Sequence, residues 1–259
     1  MSRVFDFDAA IVRTPGPSVV DGLRAGDHGE PSYEGVLAEH RVYVAALEAA
    51  GIIVETLPPL DAFPDSVFVE DPAFVLSEGA IVLKPGAPTR IGEAAEIAPA
   101  LHRRFARVLE LDEGYADGGD ILILPDEILI GLSARTDRTG AERFVALVAE
   151  LGRTARIVET PAGTLHFKTA SALIDEETVI ATPALAPYFT GYEVLATQDS
   201  EEAAANLIRV NDRLLVSAAF PRTIDLLTAR GVDVVPLETR EIAKIDAGLS
   251  CMSLRWKAG

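Results

Sequence analysis

Residues 73–86 read AFVLSEGAIVLKPG, two short apolar strands around a Glu78-Gly79 turn. A helix over residues 90–104 follows, carrying Ile91, Ala94, Ala95, Ile97, Ala98 and Leu101, and then a strand over 107–111. The same order returns from Asp120. ILILPDEILIGL (121–132) is a hairpin about Pro125-Asp126, 139–151 a helix and 156–159 a strand. Thr139 and Glu142 have the spacing of a capping box at that helix start. A third unit begins with ASALIDEETVIATP (170–183), shortens its helix to 184–188 and ends on a strand at 192–196. A fourth runs from NLIRVNDRLLVSA (206–218) through a helix at 221–230 to a strand at 232–235. The fifth is split between the chain ends: residues 251–256 pair with 7–12, followed by a helix at 33–50 and a strand at 52–56.

Five ββαβ units, the last assembled from both termini, predict a ring with approximate five-fold symmetry. Closure buries apolar faces that no unit could bury alone. The expected architecture is therefore a single α/β domain over residues 1–259, a five-bladed α/β-propeller. An ordinary parallel α/β sheet is the competing arrangement, but tight hairpins between successive helices argue against it. With 259 residues, 49% of them hydrophobic, the chain can bury a substantial core.

Charge and cysteine content narrow the partners. A formal charge of -17 disfavours nucleic acid and anionic membranes, whose binding begins with basic patches. No apolar run approaches the roughly 20 residues of a membrane span. Asp6 and Asp8 interrupt what a secretory signal would need as an apolar core. The single cysteine allows no intramolecular disulfide, so a cytoplasmic protein is expected, as a monomer or a homodimer.

Position within the repeat is the functional signal. Asp65, Glu70 and Asp71 stand at the entrance to the first hairpin strand of their unit, and Asp117, Gly118, Gly119 and Asp120 at that entrance in the next. His166 and Lys168 occupy it in the third unit, and Cys251 in the unit that closes the ring. Arg90 and Arg135 share another equivalent place, the loop from hairpin to helix. Equivalent positions of a closed ring converge about its axis, so a thiol, an imidazole, carboxylates and two guanidinium groups are expected at one mouth. Taken singly, each has a plain structural reading: a buried thiol, a packed histidine, a Gly-Gly turn, surface arginines. Their joint placement favours a site.

The segments PDSVFVED (64–71), PGAPTR (85–90), DGGD (117–120), GLSARTDRTGAE (131–142), LHFK (165–168) and LSCMS (249–253) resemble those of the dimethylarginine dimethylaminohydrolases. These belong to the guanidino-group-modifying superfamily of five-bladed α/β-propellers, and the resemblance runs over nearly the whole chain. It implies Cys251 as nucleophile, His166 as general acid and base, and Asp117 as the carboxylate that orients the histidine. It further implies that Asp71 and Glu70 bind a guanidinium, Asp65 an α-amino group, and Arg90 with Arg135 an α-carboxylate. Leu23 and Ile245 match positions that touch substrate through the main chain. Residues 22–29, with Gly22, Gly26 and Gly29, resemble the family's mobile lid. Animal members often carry a second cysteine after the nucleophile; here that residue is Met252.

The implied partner is a small methylated arginine, hydrolysed to citrulline with no cofactor. A carboxylate-held guanidinium offers a carbon to a thiolate, and a protonated histidine lets the amine depart. The His and Cys spacing matches no zinc pattern, so no metal is expected. Arginine deiminase is the nearest alternative activity, sharing GGD and CMS. A non-catalytic ring used for binding is the alternative of another class, since fold alone does not fix function.

Overall fold

The computed structural model describes residues 3–258; residues 1, 2 and 259 of the expected unit lie outside the described residues. In chain order the elements are β1 (Ala9–Arg13), α1 (Tyr33–Ala49), β2 (Ile53–Leu57), β3 (Ala73–Leu76), β4 (Gly79–Val82), α2 (Glu93–Arg104) and β5 (Val108–Glu110). β6 (Ile121–Ile123), β7 (Ile128–Leu132), α3 (Arg138–Glu150) and β8 (Ala155–Glu159) follow, then β9 (Ser171–Leu173), β10 (Thr178–Ala181) and β11 (Glu193–Ala196). The chain ends with β12 (Ile208–Val210), β13 (Arg213–Ser217), α4 (Pro221–Ala229), β14 (Asp233–Leu237) and β15 (Leu254–Trp256).

Five three-stranded sheets result, ordered β15-β1-β2, β3-β4-β5, β6-β7-β8, β9-β10-β11 and β12-β13-β14. In each, the first strand is antiparallel to the middle one and the last is parallel to it. Burial follows this order: β4 and β10 are buried throughout, whereas β2, β5, β11 and β14 are half-buried or exposed except for Leu57 and Leu237 at the ends of β2 and β14. The split unit closes as expected, with Ala9 opposite Trp256 and Ile11 opposite Leu254.

Packing between units holds the ring. Phe144 of α3 is fully buried and meets Phe74 of the preceding sheet edge-on, with ring centroids 5.1 Å apart. Ile97 and Leu101 of α2 pack with Ile11, Leu254 and Trp256 of the split unit. Each helix thus joins its own sheet to the one before, which is why no unit is self-sufficient. No helix among the described residues is long and apolar enough to cross a membrane.

Several boundaries differ from expectation. The first hairpin turns at Ser77-Glu78, one residue early, and α2 starts at Glu93 after a short 3-10 turn, Pro88–Arg90. The capping box at Thr139 is not formed. Asp137 caps α3, its Oδ1 accepting from the Gly140 N–H at 2.7 Å, which leaves Thr139 inside the first turn. Cys251 and Met252 lie in a 3-10 turn, Leu249–Met252, and only residues 254–256 are strand.

Candidate active site

The five first strands surround an axial cavity of about 120 Å³, to which Phe74, Ile121, Ala172, Ile208 and Leu254 each contribute from a different sheet. Where the chain enters those strands lies a second cavity of about 140 Å³. Asp65, Asp71, Arg90, Asp117, Arg135, His166, Cys251, Leu23 and Ile245 all line it. Glu70 is the exception. Its carboxylate lines the axial cavity, pairs with Lys168 Nζ at 2.6 Å, accepts from Ser250 Oγ at 3.2 Å and has Arg255 at 3.7 Å. It forms part of the partition between the two cavities, paired with its own partners, and is not among the residues that line the reacting cavity.

Close backbone approach builds the mouth. A Cβ on Gly119 would sit 2.7 Å from the His166 ring and 3.0 Å from Asp71 Oδ1, and one on Gly118 would collide with the Glu70 carbonyl. The Gly-Gly pair is therefore required by contact with two neighbouring units. Gly119 N–H donates to Asp71 Oδ1 at 3.2 Å, fixing that carboxylate across the unit boundary.

His166 and Asp117 form a buried pair, Nε2 to Oδ2 at 3.0 Å, while Asp117 Oδ1 accepts from Gly86 N–H at 2.7 Å. Burial opposes charge on His166, but the Asp117 hydrogen bond and the nearby Asp120 and Asp71 carboxylates outweigh it and push its pKa up to about 9. Cys251 goes the other way for a nucleophile. Burial, then the charges of Glu70 and Asp71, push the thiol up to about 11. The free site thus holds an imidazolium and a neutral thiol at pH 7. Burial disfavours charge on Asp71, but Arg90, His166 and Lys168 more than offset it and hold its pKa below the ordinary value.

The remaining expected contacts divide. Asp65 is buried, its Oδ1 accepting from Leu23 N–H at 3.0 Å, and burial raises its pKa against the pull of Arg90. Arg90 is consumed by protein partners: Asp71, both oxygens of Glu93, and the carbonyls of Asp65 and Phe68 at 3.1 and 2.9 Å. Arg135 is half-buried, and among the described residues its guanidinium has no hydrogen bond or ion pair. The two arginines share a repeat position but not a state.

Two residues, Asn206 and Glu93, escaped the sequence reading, and Asp120, read there only by its place in the repeat, carries more than that place implied. Asn206 Nδ2 lies 3.9 Å from Cys251 Sγ, and its Oδ1 accepts from Ser250 N–H at 3.1 Å. It stands at the entrance to β12, the one repeat position left unread, so the repeat itself could have found it. Asp120, raised by burial to about 6, accepts from Phe167 N–H, Ser133 Oγ and Thr136 Oγ1, and so ties the His166 loop to the Asp117 loop. Glu93, raised by burial to about 7 against Arg90, had no signal beyond its place in a helix. Ligand atoms of Asp71, Asp117 and His166 lie within 4.8 Å of one another, near enough to share a cation. In this structure Arg90 and the His166–Asp117 hydrogen bond already satisfy them.

Comparison with known proteins agrees with this geometry. The arginine deiminase family model matches residues 54–219. The dimethylarginine dimethylaminohydrolase of Pseudomonas aeruginosa is 37% identical over 254 residues, covering 96% of this chain and 100% of that one. The Streptomyces coelicolor enzyme of the same name is 34% identical, covering 95% and 96%. A solved structure of the Pseudomonas aeruginosa enzyme, a cysteine-to-serine mutant complexed with citrulline, superposes with a TM-score of 0.93 at 36% identity, over 97% of this chain and 100% of that one. With the same five-sheet ring and near-complete coverage, this chain belongs to the dimethylarginine dimethylaminohydrolase family.

Proposed function

We propose that this chain hydrolyses Nω,Nω-dimethyl-L-arginine, and the monomethyl form, to L-citrulline and the methylated amine through a covalent intermediate on Cys251. The observation that carries the reading is the gathering of Cys251, the His166–Asp117 pair and Asp71 around one cavity, with the unpaired cation Arg135 on its wall. The relative complexed with citrulline supports the product.

The guanidinium enters beside Asp71, whose carboxylate localises its charge. Its positive charge stabilises the Cys251 thiolate, and the thiol proton leaves to solvent, because His166 already carries one. Sulfur attacks the guanidinium carbon and forms a tetrahedral adduct. His166 donates its proton to the dimethylated nitrogen, the C–N bond breaks, and dimethylamine departs from a thiouronium. The histidine, now neutral, takes a proton from water as the water adds to the same carbon. Collapse breaks the C–S bond, the hydroxyl proton passes to the departing sulfur to restore the thiol, and the ureido group of citrulline is left. Asp117 holds the imidazole throughout. Asp65 takes the α-amino group, Arg135 the α-carboxylate with Arg90 behind it, and the main chain at Leu23 and Ile245 closes the amino-acid end. Glu70 acts from the partition, as a fixed negative charge near the guanidinium. Residues 1–259 act as one catalytic unit, a monomer or a homodimer in the cytoplasm, consistent with the charge of -17 and the lone cysteine.

The arginine deiminase model favours a second reading, release of ammonia from unsubstituted arginine. Incubation with dimethylarginine, monomethylarginine and arginine, scored for citrulline, separates the two. The expected order places a methylated substrate first, Cys251→Ser abolishes turnover, and exhaustive chelation leaves it unchanged. Preference for arginine would install the second reading. Citrulline formation by Cys251→Ser would remove the covalent route, and loss of activity on chelation, restored by a metal, would make Asp71, Asp117 and His166 a metal site.

A further inference from the structure

A cavity of about 710 Å³, larger than the one that holds the reacting groups, shares a wall with it. Ala25, Leu165, Asp246 and Ala247 line both. Asn206 lines the larger cavity and reaches to 3.9 Å from Cys251 Sγ, so the larger space begins one side chain away from the reacting sulfur. Leu165 is the neighbour of His166, which under the proposed function protonates the departing nitrogen. Leu165 and Ala247, which line both cavities, thus put the larger space beside that nitrogen's side of the site.

We infer that this cavity is an annex for the leaving group, admitting arginines whose Nω-substituent is a neutral alkyl chain longer than methyl. The inference rests on the proposed function and extends its substrate class. Charge selects the neutral class. The lysine and the arginine of the annex wall are already paired, Lys244 with Glu241 at 2.7 Å and Arg240 with Glu238 at 3.0 Å, His28 lies 3.7 Å from Asp246, and the wall also carries Glu202. No unpaired cation waits for an anionic substituent, while Leu165, Ala247 and Leu249 give the chain apolar surface. Each added methylene gains contact in such a space instead of a clash, the opposite of what a closed methyl pocket would do.

The test is kinetic, on the full chain, with dimethylarginine, Nω-butyl-L-arginine and Nω-(3-carboxypropyl)-L-arginine as substrates. Citrulline and butylamine are expected from the butyl substrate with kcat/KM within about tenfold of dimethylarginine, and the carboxylate is expected to be worse than butyl by at least about tenfold. Ala203→Phe and Ala243→Phe each add bulk to the annex wall from an exposed position on a different short turn, and neither residue lines the reacting cavity. Either is expected to cut butyl turnover about tenfold or more while leaving dimethylarginine within about twofold. Turnover of dimethylarginine without turnover of the butyl substrate overturns the annex and leaves the proposed function standing. Equal losses on both substrates in both variants overturn it as well, and a preference for the carboxylate overturns the neutral class. Absence of citrulline from every substrate overturns the proposed function and the annex together.

Discussion

At the scale of single residues the site is an ordering of proton affinities. With His166 near 9 and Cys251 near 11, the form dominant at pH 7 carries a thiol and an imidazolium. Under the proposed mechanism the reacting form needs a thiolate and an imidazolium, one proton fewer. By proton count, kcat/KM for dimethylarginine should rise with pH, about tenfold per unit, and level off near pH 9 where the free protein has lost that proton. Asp117→Asn removes the hydrogen bond that raises His166, so the levelling should move to lower pH while the maximum rate falls. A profile that declines between pH 7 and 9 would mean the ordering is wrong. His166 bears on stability too: its folded pKa exceeds the ordinary 6.5, so its contribution is complete below about 6.5 and is lost as pH rises through about 9. The arginines separate recognition from structure. Arg135→Leu should weaken dimethylarginine use by about 30-fold to several thousand-fold, the loss of a charge-assisted contact of roughly 2–5 kcal/mol. It should leave the decarboxylated analogue as poor as before; a matching proportional loss would make Arg135 structural. Arg90→Leu instead strands Asp71 and Glu93 in the interior, and should lower thermal stability by the roughly 3–5 kcal/mol of a broken buried pair. Sequence position could equate these two residues. Only the side chains packed around them could tell them apart.

At the scale of elements, what was legible followed the length of the pattern. The hairpins and the longer helices emerged within one to three residues because apolar periodicity persists over them. Short 3-10 turns carry no period, which is why Cys251 was expected in a strand and lies in a four-residue turn. The α3 cap was misassigned because Thr139 and Asp137 are both competent, and the extended backbone at Asp137 decides between them. Glycines had two meanings that sequence alone could not separate. Gly118 and Gly119 serve close approach, whereas Gly29 has positive φ (87°) and open space around it, as a hinge would. The segment 22–29 is held at two points: Leu23 N–H donates to Asp65, and Ala25 N–H to Asp246, a residue in the left-handed region at φ 54°. Residues 24–30 are otherwise exposed. Hydrogen exchange of the amides from Leu23 to Gly29 should therefore slow on binding citrulline, as the segment closes over a ligand that occupies its anchors' side of the cavity. Unchanged exchange at saturating citrulline would leave it an ordinary loop.

At the scale of the molecule, the repeat explains why distant residues meet. Asp71, Asp117, His166, Asn206 and Cys251 come from five units, and each stands where its chain enters the strand nearest the axis. The site therefore exists only while the ring is closed, and closure depends on one short strand. β15 places Leu254 and Trp256 in the core against α2, and Trp256 meets Phe105 at a tilt of 52° with centroids 4.9 Å apart. Losing a buried tryptophan costs roughly 3–5 kcal/mol by itself, against a whole-protein stability of roughly 5–15 kcal/mol. Deleting residues 254–259 should thus abolish the cooperative thermal transition even though Cys251 remains in the chain. The first and last strands, by contrast, lie side by side: Asp8 N–H donates to the Trp256 carbonyl at 3.2 Å, and Ala258 N–H to Asp8 Oδ1 at 2.6 Å. A flexible linker of about eight residues can join them without strain. The same ring can then be opened elsewhere, between Glu176 and Glu177 in the exposed β9–β10 turn. That permutant keeps every sheet, with β15 now tethered to β1 by a covalent link and the hairpin of the third unit assembled from the new termini. If closure, and not chain order, makes the site, the permutant should melt cooperatively and form citrulline at a rate within about tenfold of the parent, while the deletion does neither. A deletion that still melts cooperatively and turns over substrate would show that four units suffice, and the five-fold ring would lose its place in the explanation of the site.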